Sequence, residues 1–294
     1  MSDAHRIPPR ALAWVAVLTL LWGTNWMLFP LAVREVSVWT FRAVSMIGSG
    51  LVLLAVARAR GLSLVVPRAL RGRIALAALL NLTLWNIAST YASLMIPSGQ
   101  AALLGFTMPL WSALITWAVL HEPITRRMLV ALALGAAGVG LLMWRSLPAY
   151  AQAPLGVSLG LLSAVGWAVG TLVLKRSGAT VVPPLVLTGW QMLIGVLPIL
   201  VGAFAFAGSG PFWPSWGSVA VLVYITLVPV TLGNLAWVSV VTLVPANVAG
   251  LSSVLVPVVA MVAGAIVHGE PLGPVQWAAM ACCGGATALV LLRR

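Results

Sequence analysis

Two apolar segments of the chain each carry a stripe of polar side chains at helical spacing. The first stripe covers about 80° of a helix wound at 100° per residue and consists of Thr83, Asn86, Thr90 and Ser93. The second consists of Thr231, Asn234 and Thr242. Such groups can line a polar cavity, or they can join neighbouring helices at about 1 kcal/mol per contact. Two asparagines at equivalent depth favour the cavity, and the packing role stays open.

Tryptophan and amide side chains recur at matching places of two other segments. Trp22, Asn25 and Trp26 lie on one side of the first predicted helix, and Trp167 and Thr171 lie at the matching places of the sixth. Because tryptophan is common at membrane interfaces, rings far from the ends of a segment are informative. Such rings with a few amide groups would suit a flat or amphipathic small molecule, while plain packing is the alternative.

Proline occurs near the middle of the fourth and ninth predicted helices. Pro109 and Pro257 each remove one backbone hydrogen bond and free the carbonyl four residues earlier, which belongs to Gly105 and Ser253. Inside lipid, such a carbonyl must find another donor or face a wet cavity. These four residues are therefore candidate hinges, and a kink that only aids packing is the alternative. Gln100, near the start of the fourth predicted helix, is a further candidate for contact with a small molecule.

The composition indicates that lipid is the solvent for most of the chain. Of its 294 residues, 62% are hydrophobic and 7% are charged, and the mean hydropathy is +1.09. A soluble domain has about 25% charged residues. With roughly 20 residues per span, the sequence predicts an all-α polytopic membrane protein with ten transmembrane helices. The spans are predicted at roughly 11–29, 36–57, 73–95, 98–120, 126–144, 154–175, 182–206, 217–243, 246–268 and 273–292.

The basic residues fall in the short gaps between these spans and predict the orientation. Thirteen of the 16, including four in the terminal tails, lie on the side of the N-terminus, while Arg34 and Arg145 lie on the other side and Arg42 lies within the second span. The positive-inside rule then places both termini in the cytoplasm, as for a bacterial inner-membrane protein. Because the net charge of +12 is distributed in this way and forms no basic patch, no nucleic-acid partner is expected.

The second half of the chain repeats the first. Shifting it by 148 positions places Thr231 on Thr83 and Asn234 on Asn86. The same shift aligns Pro245 with Pro97, Ala249 with Ala101, Pro257 with Pro109, and Gly269-Glu-Pro271 with His121-Glu-Pro123. Since each copy has five spans, the copies must enter the membrane from opposite sides. Two inverted five-helix repeats around a central cavity are typical of secondary transporters that work by alternating access.

This organisation divides the chain into four parts. Residues 1–10 are predicted to form a cytoplasmic tail, 11–145 the first repeat, 146–153 an external linker and 154–294 the second repeat. The partners expected from this pattern are a small molecule and the lipid bilayer. A homodimer is compatible with the pattern and is not required by it.

Few side chains in the spans could carry proton transfer, metal binding or catalysis. Arg42 is either functional or, in the interpretation favoured by its place near a span end, reaches the interface. Glu122 and Glu270 fall at span ends, and mid-span positions hold no Asp, Glu or His to relay a proton. Cys282 and Cys283 are adjacent, which suits neither a disulfide nor a four-ligand metal site. No enzyme activity, cofactor or metal is expected, and facilitated movement or exchange is the simplest transport mode.

The chain resembles the EamA module of the drug/metabolite transporter superfamily. The resemblance covers both halves. In the first it includes Leu21-Trp-Gly-Thr-Asn25, Arg42, Pro109 and Glu122-Pro123, and in the second Pro257 and Glu270-Pro271. It implies ten helices in inverted repeats, a cavity lined mainly by helices 1, 3, 4, 6, 8 and 9, and export of small metabolites. The second half departs from the pattern at Ala168 and Trp190, which makes the halves chemically unequal.

Within this superfamily, the tryptophan-rich interior is most similar to exporters of aromatic amino acids. The leading hypothesis is therefore an exporter of aromatic or other bulky neutral amino acids. Export of other metabolites, nucleosides or drugs on the same fold is the alternative. A membrane scaffold without a substrate is a more remote alternative, because a scaffold would not need mid-span prolines and polar stripes in both halves.

Overall fold

The computed structural model describes residues 8–25, 28, 32–96, 98–121, 124–144, 147–206, 214–245, 248–249, 253–268 and 272–291. The regular elements over these residues are helices. They are α1 (Pro9–Asn25), α2 (Val38–Ala59), α3 (Arg68–Met95), α4a (Ser98–Gly105), α4b (Met108–Leu120), α5 (Arg126–Trp144), α6 (Pro154–Arg176), α7 (Pro184–Phe206), α8 (Trp216–Leu243), α9 (Val256–His268) and α10 (Pro274–Leu291). Shorter pieces are the α-helix Leu147–Gln152 and the 3₁₀ turns Ala179–Val181 and Ser253–Leu255.

Within the described residues, six helices are long and apolar enough to cross a bilayer. They are α2, α3, α5, α6, α7 and α8, and shorter apolar helical stretches cover Leu103–Val119 and Ser253–Ala263. The prediction of an all-α polytopic membrane protein is confirmed at this level. The arrangement as ten spans in two inverted repeats stays a prediction. The predicted linker 146–153 contains the helix Leu147–Gln152, whose Tyr150 side chain is buried.

The two mid-span prolines begin helices instead of kinking them. The predicted span 98–120 is interrupted at Phe106 and Thr107, so that Pro109 lies in the first turn of α4b. Pro257 is the second residue of α9, directly after the 3₁₀ turn Ser253–Leu255. Proline is tolerated in a first helical turn because its missing N–H would have no partner there. The expectation of a proline inside a continuous helix is thus corrected at both places, while the hinge role stays a prediction.

Two long helices contain a π-helical segment that the sequence analysis did not predict. The segments are Leu79–Leu84 in α3 and Thr226–Leu232 in α8. When the two halves of the chain are aligned so that Asn86 falls on Asn234, the two π segments cover matching positions. A π segment widens the turn by one residue and often occurs at functional sites. The segment in α3 ends two residues before Asn86, and the segment in α8 ends two residues before Asn234.

The helices pack in a small number of extensive pairs. The largest contacts join α2 with α7, α5 with α10, α3 with α6, and α1 with α8, and further contacts join α6 with α4b and α1 with α9. Glycines allow the closest approach between α2 and α7. A Cβ added at Gly50 would lie 2.7 Å from Leu193, and one added at Gly189 would lie 2.8 Å from Leu54. Small residues therefore fix this pair at short range.

Polar side chains join neighbouring helices at both ends of the bundle. Arg127 at the start of α5 donates to the Leu289 carbonyl of α10, and Lys175 at the end of α6 donates to the Val241 carbonyl of α8 at 2.9 Å. We call this the basic end of the bundle. At the opposite end, Trp39 Nε1 of α2 donates to the Tyr91 hydroxyl of α3 at 3.2 Å. The larger buried apolar cluster, which includes Val15, Ala57 and Ile74, lies toward the basic end.

A carboxylate at the opposite end joins the segment before α2 to the start of α8. Glu35 accepts from the Ser215 N–H at 2.7 Å and from the Ser215 hydroxyl at 2.9 Å. The backbone hydrogen bond from Ser215 and hydrogen bonds from the Ser218 and Ser215 side chains hold the pKa of Glu35 below its ordinary value. Ser215 also caps α8 by accepting from the Ser218 N–H at 3.3 Å.

This contact should weaken in acid. Because the folded-state pKa is lowered, the contribution of the contact is present above the ordinary carboxyl pKa and is lost as the pH falls through the folded value. At neutral pH, Glu35→Gln should speed hydrogen exchange of the Ser215 amide relative to the wild type. The difference should vanish once the wild-type carboxylate is protonated. Equal exchange of the two proteins at neutral pH would contradict the role given to the charge.

Candidate functional site

A central cavity opens among the helices between the middle of the bundle and its end opposite the basic end. Its empty space is about 920 Å³, part of which is open to solvent. Among the described residues, it is lined by Trp22, Asn25, Arg42, Ser45, Met46, Leu82, Trp85, Asn86, Ser89, Ser93, Phe106, Met108, Trp167, Met192, Pro229, Val230 and Asn234.

Four tryptophans from four helices form a cluster on the side of this cavity that faces the basic end; Trp22, Trp85 and Trp167 line the cavity, and Trp237 packs behind them. Trp167 of α6 is at the centre, with ring centroids 4.9 Å from Trp85, 5.4 Å from Trp22 and 5.4 Å from Trp237. Trp22 and Trp237 also stack at 5.9 Å. Aromatic pairs at such distances add about 0.5–1.5 kcal/mol beyond their buried area. We call these four residues the tryptophan floor.

Two glycines make room for the tryptophan floor. A Cβ at Gly105 would lie 2.8 Å from the Trp85 ring, and one at Gly233 would lie 2.4 Å from Trp22 Nε1. Both distances are too short for a real side chain. The sequence analysis proposed Gly105 as a hinge. The structure shows that its missing side chain lets the Trp85 ring of α3 pack against α4a.

The two asparagines of the polar stripes have the same local geometry. Asn86 Nδ2 donates to the Leu82 carbonyl at 2.6 Å, and Asn234 Nδ2 donates to the Val230 carbonyl at 2.8 Å. Both carbonyls belong to the π segments. Each amide thus supports a loosened backbone, and its Oδ1 oxygen is left as the atom that can accept from a ligand. Asn25 adds a third oxygen, which is buried and has no hydrogen-bond partner among the described residues.

Arg42 is the charged side chain among the described residues that line the cavity. It projects from the first turns of α2, and its Cζ atom lies 5.2 Å from the Phe41 ring centroid. The structure thus places in the cavity wall a residue for which the sequence analysis favoured the interface. The wall combines one cation, several amide and hydroxyl groups and aromatic faces.

A second chamber adjoins the central cavity between α2, α3 and α7. Its empty space is about 440 Å³, and its wall shares Arg42 and Asn86 with the central cavity. We call it the side chamber. Its described lining residues are Val38, Trp39, Arg42, Asn86, Ile87, Thr90, Tyr91, Leu94 and Ile199.

A smaller compartment of about 220 Å³ lies beyond the tryptophan floor. Trp167 and Asn234 line both this compartment and the central cavity, while Asn81, Thr188 and Trp237 belong to the compartment. Buried atoms with no partner among the described residues include Asn81 Oδ1, Trp167 Nε1, Thr188 Oγ1 and Trp237 Nε1. Because buried polar groups normally find a partner, this mixture of donors and acceptors suits a bound water molecule.

The structure brings together part of the predicted set of binding residues. Trp22, Asn25, Asn86, Trp167 and Asn234 line the central cavity. Thr90 lines the side chamber instead. Trp26 and the side chain of Gln100 lie outside the described residues.

Three predicted threonines are buried in helix contacts, away from these cavity walls. The hydroxyl of Thr83 donates to the Gly195 carbonyl of α7, which is the interhelical role left open above. That of Thr231 donates to the Thr226 carbonyl in its own helix at 2.6 Å. Thr171 accepts from Asn81 Nδ2 at 3.5 Å.

Other residues at these spaces were missed by the sequence analysis. Trp85, which lines the central cavity, and Trp237, which lines the compartment beyond it, are mid-span tryptophans, and the criterion applied to Trp22 and Trp167 would have found them. Met46 and Met192 carry no polar or periodic signal in the sequence, and only the folded arrangement places them in the wall.

Alanine at both Asn86 and Asn234 should lower transport strongly. The double change removes two ligand-facing oxygens and leaves two π-segment carbonyls without their amide donors, and each lost hydrogen bond contributes about 1 kcal/mol. We expect a combined loss of at least about tenfold in substrate flux at substrate concentrations below saturation. Thr83→Val and Thr231→Val, which remove polar groups outside these cavity walls, serve as controls for the loss of helix contacts. Equal flux in the asparagine and threonine variants would remove both asparagines from the site.

Comparisons with known proteins agree with a transport function. The transporter YvbV of Bacillus subtilis (strain 168) is 28% identical over 271 residues, covering 88% of this chain and 84% of YvbV. The inner membrane transporter YedA of Escherichia coli (strain K12) is 26% identical over 277 residues, covering 94% and 88%. A probable amino-acid metabolite efflux pump of Salmonella typhimurium (strain LT2) is 28% identical over 191 residues, covering 62% of this chain and 63% of the pump.

A solved structure and a family pattern extend over the whole bundle. One crystal structure aligns with a TM-score of 0.79 over 96% of each chain at 21% identity, and this likeness concerns the fold alone. The pattern of the EamA-like transporter family matches residues 9–144 and again residues 154–292. Because the two matches together cover nearly all of the chain, this protein belongs to the EamA-like transporter family of membrane transporters.

Proposed function

We propose that this transporter exports amino acids, with a preference for aromatic and bulky neutral ones. The observation that carries the proposal is the set of groups in the central cavity wall. Arg42 provides one positive charge, and Asn25, Asn86 and Asn234 provide amide oxygens. An α-carboxylate suits a guanidinium, and an α-ammonium suits amide oxygens and the faces of tryptophan rings.

The family assignment supports this class of substrate without fixing it. The relative from Salmonella typhimurium is named an amino-acid metabolite efflux pump. Its relation to this chain covers 62% of our sequence, so the substrate class is transferred as part of the proposal. Nucleosides, drugs and other metabolites remain the alternative cargo, because tryptophan rings also stack on flat heterocycles.

The proposed mechanism is alternating access by two inverted repeats, with both termini in the cytoplasm. The helix pairing supports it, since a two-fold exchange of the halves converts α3–α6 into α8–α1 and α6–α4b into α1–α9, and leaves α2–α7 and α5–α10 unchanged. The matching π segments in α3 and α8 support it as well. Under this orientation the central cavity lies toward the periplasm, and the tryptophan floor closes the cytoplasmic side.

Counterflow in proteoliposomes tests the proposal directly. Vesicles loaded with unlabelled Phe, Trp, Leu or Thr would be diluted into labelled Phe, with and without a pH gradient. We expect Phe and Trp to accelerate uptake most and the gradient to have little effect, since the predicted spans contain no mid-span carboxylate. If folded and inserted protein shows no counterflow with any of these amino acids, the proposed amino-acid substrate is wrong. Nucleosides and drugs would then be tested.

A further inference from the structure

The side chamber is placed where a ligand held at Arg42 could extend into it. Arg42 and Asn86 line both the central cavity and the side chamber, so the two spaces meet at these side chains. A small amphipathic molecule whose charged end is held there has two directions in which to place its apolar part. One leads to the tryptophan floor and the other leads to the side chamber.

The tryptophan floor is the less suitable of the two directions. Its four rings already contact one another at centroid distances of 4.9–5.9 Å. Trp167 is 3% exposed and Trp237 is 2% exposed. These two rings therefore offer little free surface to a further aromatic group, while Trp22 and Trp85 are partly exposed and keep ring surface at the central cavity. The side chamber, in contrast, is an unfilled space of about 440 Å³, part of which is open to the outside.

The wall of the side chamber is suited to an apolar or aromatic group. Ile87 and Ile199 provide aliphatic surface, and Trp39 and Tyr91 provide an aromatic edge with centroids 5.9 Å apart. The hydrogen bond from Trp39 Nε1 to the Tyr91 hydroxyl occupies the indole donor of this edge. Leu94, which is 65% exposed, lies at the mouth of the chamber.

Thr90 adds one polar atom at this wall. Its side chain is 3% exposed, and its Oγ1 atom has no hydrogen-bond partner among the described residues. Since a buried hydroxyl normally has a partner, this atom is suited to a donor carried by the ligand. The N–H of an indole and the O–H of a phenol are donors of that kind.

We infer that the side chamber is the subsite that receives the side chain of the transported amino acid. Arg42 and Asn86 hold the backbone groups at its entrance, and Ile87, Thr90, Trp39 and Ile199 set the size and polarity of the side chain that fits. This inference rests on the proposed function, because it assumes an amino acid at Arg42. It adds the residues that decide which amino acid is preferred.

Filling the chamber tests the inference. Ile87→Trp should lower counterflow of Phe and Trp at least about tenfold while flux of Ala and Ser stays within about twofold of wild type. Ile266→Trp is the matched control, because Ile266 is 78% exposed on α9. Parallel loss of large and small substrates in monodisperse Ile87→Trp protein, or no loss at all, would overturn the inference.

A conservative change at Thr90 gives a second readout. Thr90→Val keeps the volume and removes the hydroxyl, so Trp flux should fall about 3- to 10-fold relative to Phe flux, as expected for one lost hydrogen bond. An unchanged ratio of Trp to Phe flux would take Thr90 out of the subsite. A fall in both fluxes by the same factor would do so too.

A binding assay separates failure of the inference from failure of the proposed function. A cysteine placed by Leu94→Cys, with Cys282 and Cys283 replaced by alanine, would report access to the chamber mouth. Indole, which lacks amino and carboxyl groups, should slow labelling of this cysteine and should fail to do so when Ile87→Trp is added. Protection by indole without any amino-acid counterflow would refute the proposed function, but the side chamber would still be shown to bind an aromatic group. No protection by indole would overturn the subsite itself.

Discussion

Replacing Arg42 by glutamine should abolish most of the amino-acid flux while leaving the protein folded. In the proposed complex, Arg42 is the cavity-wall cation that meets the substrate carboxylate. Removing one partner of a buried charge pair costs about 2–5 kcal/mol. The expected loss of Phe counterflow is therefore at least about 30-fold.

The same substitution should not lower stability. Arg42 lies in the wall of a cavity that is partly open to solvent, so a neutral side chain of similar length should fit there without rearranging the helices. The thermal midpoint of Arg42→Gln in detergent or nanodiscs should stay close to that of the wild type. This separates a loss of binding from a loss of fold.

Two controls give the Arg42 experiment its specificity. Arg42→Lys keeps the charge and loses the planar fork that matches a carboxylate, so it should retain more flux than Arg42→Gln. Phenethylamine, which is Phe without its carboxylate, should be a poor substrate of the wild type and should gain relative to Phe in Arg42→Gln. If both molecules lose flux equally, Arg42 holds the structure of the cavity and does not bind the carboxylate.

Replacing Trp167 by alanine should open the tryptophan floor. Trp167 contacts the other three floor rings and lines both the central cavity and the compartment beyond it. Its removal should join the two spaces and destabilise the protein by about 3–5 kcal/mol, the usual cost of truncating a large buried aromatic residue. Flux should become leaky or be lost, because the closed side of the pathway no longer seals.

Cysteine labelling distinguishes an open floor from a protein that is merely less stable. Thr188, which lies beyond the floor and is buried, would be replaced by cysteine in protein with Cys282 and Cys283 changed to alanine. Reagent added from the end opposite the basic end should label this cysteine at least about tenfold faster in Trp167→Ala. Trp167→Phe, which keeps an aromatic plug, should stay close to the wild type. Labelling that does not change in Trp167→Ala would show that other residues close the pathway.

The primary sequence alone determined the solvent of this protein, its fold class and the broad composition of its cavity. Too few charged residues for a water-facing surface left lipid as the solvent, and the apolar runs set the helices. Trp22, Asn25, Asn86, Trp167 and Asn234 could be chosen because polar and aromatic residues inside apolar spans need a reason to be there. The repeated register of the two halves added the pairing of Asn86 with Asn234.

Only the tertiary structure decided which polar residues line a cavity and which contact a neighbouring helix. Thr83, Thr90 and Asn86 share one stripe of α3, but Thr83 bonds to α7, Thr90 lines the side chamber and Asn86 lines both spaces. Helical spacing gives the direction of a side chain and cannot tell which neighbour stands there. The π segments were not predicted either, although Pro229 lies inside the one in α8, and the break in the fourth span was expected as a kink because Pro109 was placed inside a continuous helix. The position of Arg42 in the cavity wall depends on how α2 packs against α3 and α7, and local sequence carries no record of that packing.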